Sequence, residues 1–319
     1  MPNGTAGRSS ARRRSEQRKV GVPRSGSSHR TDQQAWKLSS PTYLDAMSAG
    51  RDLPAYFARI GYTGPSEPSF SVLCELSGHH LTQIAFETLD PFLGRPVDLD
   101  PEALQAKLVR ARRGGYCQEH NALFHDVLAT LGFAVTPLGG RVVWAFKGQP
   151  APLTHRLTLV DLLEGRFIAD VGLGGYSPTA PLRLEPGLEQ TTPHGTYRMT
   201  RDGEIFGLQL RLNDRWETMY QFTLEAQTRI DFEVANWFTS THPRSFFTQN
   251  LVVCRVVGET RVNLLNSSLS VRHPDGHVEQ RALAGAAELE KLLEEVMNLA
   301  LPAPAEVIWE KMPKQSLPT

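Results

Sequence analysis

Between residues 54 and 132 apolar side chains recur at three- and four-residue intervals, the spacing of helices that bury one face. Tyr56, Phe57 and Ile60 mark a first short helix, and Val72, Leu73, Leu76 and His79 or His80 a second. Pro91, Pro96 and Pro101 punctuate the next stretch, and Pro101-Glu102 opens a third helix where the missing proline N–H costs nothing, with Leu104, Leu108 and Val109 turned inward. Phe124, Val127, Leu128 and Leu131 predict a fourth helix, stopped by Gly132. Beyond Gly132 the period changes to two. Strands are expected over 135–143, 153–160, 165–171, 197–200 and 205–212, with a turn near Glu164-Gly165. So many short antiparallel strands close most naturally into a small barrel or curled sheet. The last third mixes both periods: a helix over 222–236, a strand over 251–257, a hairpin turning at Asp275-Gly276, and a helix over 286–299 striped with Leu289, Leu292, Leu293 and Val296. No internal repeat is visible.

These changes of period define an α+β chain with parts at 1–46, 47–131, 132–235 and 236–319. The first part differs in kind. Of the 34 basic and 34 acidic residues, nine and two fall in 1–40, leaving 25 and 32 for the rest. The opening stretch is rich in Ser, Arg and Gly and too poor in aliphatic residues to offset the entropy of ordering, so 1–46 is expected to be a disordered basic extension. It has the Arg- and Ser-rich, acid-poor look of a transit peptide, but is read as a solvated extension, and Met47 is a candidate start. The mildly acidic remainder argues against nucleic-acid binding. No run of about eighteen apolar residues suggests a membrane span, and 40% hydrophobic content suffices for real cores. Three widely spaced cysteines, Cys74, Cys117 and Cys254, fit a reducing compartment, and the expected location is the cytoplasm.

One cysteine stands apart. Cys117 falls where the glycine turn Arg113-Gly114-Gly115-Tyr116 becomes the fourth helix, so first-turn N–H groups and the positive end of the helix dipole favour a charged sulfur. Cys74 and Cys254 lie in apolar runs without such a turn and read as packing residues. His155 sits in an alternating strand, where a lone histidine is commonly a hydrogen-bonded core residue. Asp170 changes that reading, because a carboxylate at the end of an apolar strand needs a partner and an imidazolium is suitable. A turn near 162–165 places both residues on one sheet face, and a turn centred at Glu164-Gly165 leaves them diagonal. Cys117, His120 and His125 do not supply a closed ligand set for zinc, so no metal is expected. The cluster Gly172-Leu173-Gly174-Gly175 lacks the lysine and helix of a nucleotide fingerprint.

These residues, taken in order, resemble the arylamine N-acetyltransferases, particularly the bacterial ones. The resemblance runs from about Leu53 to beyond 270 and rests on Tyr56-Phe57-Ala58-Arg59-Ile60-Gly61, Ala85-Phe86-Glu87-Thr88-Leu89, Arg113-Gly114-Gly115-Tyr116-Cys117, the histidine strand, Asp170-Val171-Gly172-Leu173-Gly174, and Asn236-Trp237-Phe238-Thr239-Ser240-Thr241-His242-Pro243 with Phe247-Thr248. Ala85, Thr88, Gln118 and Leu173 depart from the family's usual residues. The resemblance implies a helical domain carrying the nucleophile, a β-barrel domain carrying His and Asp, an α/β lid and a cysteine-protease-like core. It implies ping-pong acetyl transfer from acetyl-CoA, a co-substrate and not a bound cofactor, through Cys117 to an arylamine, hydrazine or N-hydroxyarylamine. His155 and Asp170 complete that triad, Leu173, Gly174 and Gly175 become candidates for binding substrate or CoA, and Arg113 with Glu87 a structural pair. A monomer or homodimer is expected. Alternatives are a macrolactam-forming amide synthase fed by a carrier-bound acyl chain, a transglutaminase- or hydrolase-like enzyme, and a binding protein on a decayed fold.

Overall fold

Local signals start and stop the helices largely as the sequence suggests. A computed structural model of the protein describes residues 52–313 apart from Ala145 and Lys147; the expected extension over 1–46 lies outside the described residues. Helix α1, Leu53–Ile60, begins with the Asp52 carboxylate accepting from Ala55 N–H at 2.9 Å and ends at left-handed Gly61. Helix α2, Phe70–Gln83, is capped by Ser69. After a two-residue strand β1, Phe86–Glu87, and a short helix α3, Leu89–Leu93, helix α4 runs Pro101–Leu104 and continues as a π-helical stretch, Gln105–Arg110. Helix α5 is Cys117–Thr130, and Gly132 beyond it takes φ +89°.

Tyr56, Leu73, Leu76, Leu108, Phe124, Val127 and Leu128 bury the facing sides of these helices and meet Val160 and Phe167 from the adjoining sheet. That contact packs the later turns of α5 against the strands.

The larger sheet has eight strands in the order β5-β4-β3-β2-β9-β8-β7-β6, comprising β2 (Ala134–Val142), β3 (His155–Leu162), β4 (Gly165–Ala169), β5 (Leu182–Arg183), β6 (Glu189–Thr192), β7 (Gly195–Asp202), β8 (Ile205–Leu212) and β9 (Arg215–Ala226). It curls into a near-barrel around Leu138, Leu157, Tyr197, Met199, Leu208 and Tyr220. The seam between its edge strands is stitched by one side chain: Gln190 on β6 accepts from the Arg183 N–H at 2.7 Å and donates to the Arg183 carbonyl at 3.0 Å.

The expected helix over 222–236 is not found as such. Phe222 belongs to β9, where it lies opposite Gly140 on one side and Phe206 on the other. The helix α6 spans Arg229–Thr241, and its start is set by the Asp231 carboxylate accepting from both the N–H (2.8 Å) and the hydroxyl (2.6 Å) of Thr228. Apolar residues paired on both flanks of a central strand mimic helical content in one dimension, so only the cap marks the boundary.

A short helix α7, Phe246–Gln249, leads into a second sheet ordered β1-β10-β11-β12-β13, in which β10 (Val252–Val257), β11 (Thr260–Leu265), β12 (Ser268–Arg272) and β13 (Val278–Ala282) form a meander. Its last hairpin turns at Gly276, φ +88°, where expected. Helix α8, Ala286–Lys291, its π-helical continuation Leu292–Val296 and helix α9, Ala305–Lys311, cover this sheet through Leu289, Leu293, Met297 and Ile308. Strand β1 carries the most consequence: Phe86 pairs with Cys254, and the Glu87 N–H donates to the Gly115 carbonyl at 2.7 Å, tying the turn before Cys117 to the C-terminal sheet. Among the described residues no helix is long and apolar enough to cross a membrane.

Candidate active site

Cys117 is the first residue of α5, with Tyr116 at the cap position. The first hydrogen bonds of the helix run from Glu119 and His120 to the Tyr116 carbonyl, so the N–H groups of Cys117 and Gln118 stand ahead of the intrahelical ladder. The turn before it is held from below. Glu119 reaches back to accept from the Tyr116 N–H at 3.1 Å and is bound by Lys107 at 2.6 Å. Lys107 also meets Asp90 at 2.6 Å, and Arg113 meets Glu87 at 2.7 Å and Asp90 at 3.1 Å. Two cations thus face three carboxylates, and Glu119 is the acid whose burial, opposed by Lys107 and reinforced by Glu87, pushes its pKa up to about 7.

Close approach explains both glycines of the turn. A Cβ on Gly114 would lie 2.0 Å from the Ala85 carbonyl oxygen, and one on Gly115 would lie 2.7 Å from a Glu119 carboxylate oxygen. Their role is packing against protein.

The histidine and aspartate arrive from the barrel. Thr158 pairs with Ala169, so Asp170, one residue past β4, falls on the same face as His155 and diagonal to it. The side chains span the diagonal: His155 Nε2 lies 2.7 Å from Asp170 Oδ2. Burial alone would lower the histidine pKa, but the Asp170 charge and hydrogen bond, with a smaller contribution from Cys117, outweigh it and raise the value to about 10. Burial would raise Asp170, and the His155 charge, Asn121 and the Gly172 N–H together hold it below the ordinary aspartate value. With Nε2 given to the carboxylate, the ring's other nitrogen is the one left for the thiol. Cys117 is 8% exposed, and its Sγ also lies 3.7 Å from the Thr154 carbonyl oxygen.

Further residues complete the unit without having been given a role there from the sequence. Asn121, one turn below Cys117, donates to Asp170 Oδ1 at 2.8 Å and to the Arg156 carbonyl, and accepts from the Val171 N–H at 3.0 Å. It ties helix to barrel at the carboxylate. The i,i+4 spacing from the cysteine was its only signal. Tyr220 lays its ring 4.9 Å from that of His155, and Gln118 donates to the Thr154 carbonyl at 2.7 Å. Gly172 admits the helix itself, since a Cβ there would fall 2.9 Å from Cys117 Cα and 2.6 Å from Asn121 Nδ2.

Leu173 packs partly into the barrel core, Gly174 takes φ +71° against the Phe86 ring, and Gly175 fits under Asn263, whose side-chain oxygen would be 2.0 Å from a Cβ. All three extend from the segment that touches Cys117. The other cysteines differ: burial pushes Cys74 up to about 11 and Cys254 up to about 12. His120 uses both ring nitrogens inside the protein, toward His80 at 2.8 Å and the Ala85 carbonyl at 3.1 Å. Among the described residues no group of three His, Cys, Asp or Glu side chains is arranged to hold a metal ion.

A helix-borne thiol, an imidazole and a buried carboxylate in this order are the parts of a thiol-dependent acyl-transfer centre. Comparison with known proteins agrees and is more particular. The N-acetyltransferase family model matches residues 69–306. The arylamine N-acetyltransferase of Mycobacterium tuberculosis is 45% identical over 249 residues, covering 76% of this chain and 88% of that protein, and the Escherichia coli enzyme of the same name is 41% identical over 247 residues, 77% and 88% of the two chains. The structure of Mycobacterium marinum arylamine N-acetyltransferase in complex with CoA superposes with a TM-score of 0.79 at 39% identity, covering 82% of this chain and 99% of that one. The chain belongs to the arylamine N-acetyltransferase family.

Proposed function

We propose that this enzyme transfers an acetyl group from acetyl-CoA to an arylamine, hydrazine or N-hydroxyarylamine by a ping-pong route through Cys117. The observation that carries this reading is the His155–Asp170 pair at 2.7 Å, with Cys117 Sγ 3.7 Å from the carbonyl of the residue before His155, in a chain of this family. Acetyl-CoA acts as co-substrate and no permanently bound cofactor takes part.

In the first half-reaction the Cys117 sulfur, its proton held by His155, attacks the thioester carbonyl. The tetrahedral oxyanion forms beside the leading N–H groups of α5, those of Cys117 and Gln118. Collapse breaks the carbon–sulfur bond to CoA, and the imidazolium returns its proton to the departing thiolate. In the second, the acceptor nitrogen attacks the acetyl-Cys117 carbonyl, His155 takes the surplus amine proton, and the Cys117 thiolate leaves. Asp170 keeps the ring oriented and its charge compensated throughout, and Asn121 fixes Asp170. Leu173, Gly174 and Gly175, which follow the glycine packed on Cys117, serve substrate binding. The helical, barrel and α/β parts act as a cysteine-protease-like core with a lid. A carrier-protein-fed amide synthase finds no support among the relatives.

Initial-rate kinetics test the reading: with acetyl-CoA and an aniline or aryl hydrazide varied together, double-reciprocal plots should be parallel and one CoA thiol should appear per acetamide formed. Thiol release that ignores the amine would instead indicate a thioesterase.

A further inference from the structure

Helix α6 contributes no group to the triad, yet its buried side reaches the chain neighbours of two triad members. Asn236 Oδ1 accepts from the hydroxyl of Tyr116, the residue before Cys117. The Asn236 amide nitrogen donates to the Val97 carbonyl at 2.8 Å, which leaves the oxygen for the phenol and fixes the orientation of the amide. Ser240, four residues on, donates to the Asn236 carbonyl at 2.7 Å and also reaches the phenol. Four residues back, the Phe232 ring centre lies 4.3 Å from the guanidinium of Arg156, the residue after His155. Positions 232, 236 and 240 form one stripe, its members about 6 Å apart along the axis.

Tyr116 is fully buried, and a phenol in that setting takes its direction from its acceptor, because losing the partner leaves a desolvated hydroxyl. Its N–H is held by Glu119 at 3.1 Å and its hydroxyl by α6. Any displacement of Tyr116 is passed to the next residue, Cys117. His155 has separate anchors, since Asp170 meets its ring at 2.7 Å and Asn121 fixes Asp170 at 2.8 Å. The outer side of α6 is open: Ile230, Val234 and Trp237 are each 61% exposed. The helix is therefore attached through its buried stripe, and through the Gln227 N–H on the Pro137 carbonyl at 2.9 Å just ahead of its cap.

We propose that α6 is a splint across the active site: Asn236, acting through the Tyr116 hydroxyl, is a positioning residue that sets the Cys117 sulfur against His155, and Phe232 seats the same helix on the His155 strand. This rests on the acyl-transfer reading of Cys117, and a second readout separates the two.

The experiment measures two rates on wild type, Asn236→Leu, Tyr116→Phe and the double variant: CoA release in the first turnover with acetyl-CoA, and iodoacetamide labelling of Cys117. Both are read at a temperature where urea titration shows each protein fully folded. Each single variant should lose about tenfold in both rates, the order of a modest misplacement of a reacting group. The double variant should stay near tenfold instead of multiplying to about a hundredfold, because both changes remove the same bond. Its stability should recover toward wild type, since phenol and amide leave together, while its rates stay low. The alkaline limb set by His155 should keep its place throughout, because Asp170 and Asn121 are untouched. Wild-type rates in the single variants, multiplying losses, rates that recover with stability, or a limb drawn back toward the ordinary histidine value would overturn the proposal. If Asn236→Leu does not fold, Tyr116→Phe alone carries the test through the same rates and limb. Wild type that takes up no acetyl would count against the acyl-transfer reading only, and labelling then still decides the placing of the sulfur.

Discussion

Among single residues, the proposed route turns on the proton of His155. Asp170 holds it against the cost of burial, so Asp170→Asn should leave the ring neutral near pH 7 and slow acetylation of Cys117 by about 10³-fold or more, as seen by stopped-flow release of CoA. The same pair sets the pH profile. Because the folded value is raised to about 10, reactivity that needs the imidazolium should persist above neutrality and fall as pH rises through about 10; in Asp170→Asn the alkaline limb should retreat toward the ordinary histidine value. Asn121→Ala removes a donor from Asp170, an acceptor from Val171 and a tie to Arg156, and should cost about 1–3 kcal/mol in urea denaturation. Cys117, His155 and Asp170 were legible in the sequence because a glycine turn opening a helix and a carboxylate in an apolar strand each need a chemical reason. Asn121 was not, since an asparagine within a helix has many uses and only the fold reveals which carboxylate it meets.

Among the helices and strands, α2 and α5 are joined by a buried relay in which the Tyr56 hydroxyl, His80 and His120 are linked at 2.8 Å each before the Ala85 carbonyl. Burial keeps both imidazoles neutral, taking His80 well below its ordinary value and His120 down to about 4. The unfolded chain binds protons more readily than the folded one between about pH 6.5 and 4. Stability from this relay is therefore complete above 6.5 and lost as pH falls through that window, by on the order of 3 kcal/mol for His120. Chemical denaturation at pH 7 and pH 4.5 should show the loss, and His120→Gln should shrink the difference between the two pH values. Strands and helices with strong period or caps were readable: β8 falls at Ile205–Leu212 as expected, and Pro101 opens α4. The π-helical continuation at Gln105–Arg110 and the true start of α6 were not, the first because packing selects it and the second because Phe222 serves two strand neighbours.

Across the molecule, the candidate site lies where three pieces converge: a helix from the N-terminal helices, a hairpin from the near-barrel, and a two-residue strand that binds the cysteine turn to the C-terminal sheet. Curling of the sheet was foreseeable from the number and shortness of its strands. The bridge across its seam was not, since which side chain meets Arg183 there is fixed only once the sheet has curled. Gln190→Ala should cost about 1–2 kcal/mol and raise amide exchange over 182–192 with less effect on α5. Peptide mass mapping after brief exposure to acetyl-CoA without acceptor decides whether Cys117 carries the acyl group. One acetyl group should be found on Cys117, discharged by an added arylamine and sharply slowed in Asp170→Asn; acetyl on another residue, or none while CoA is still turned over with amine, would contradict the thioester route.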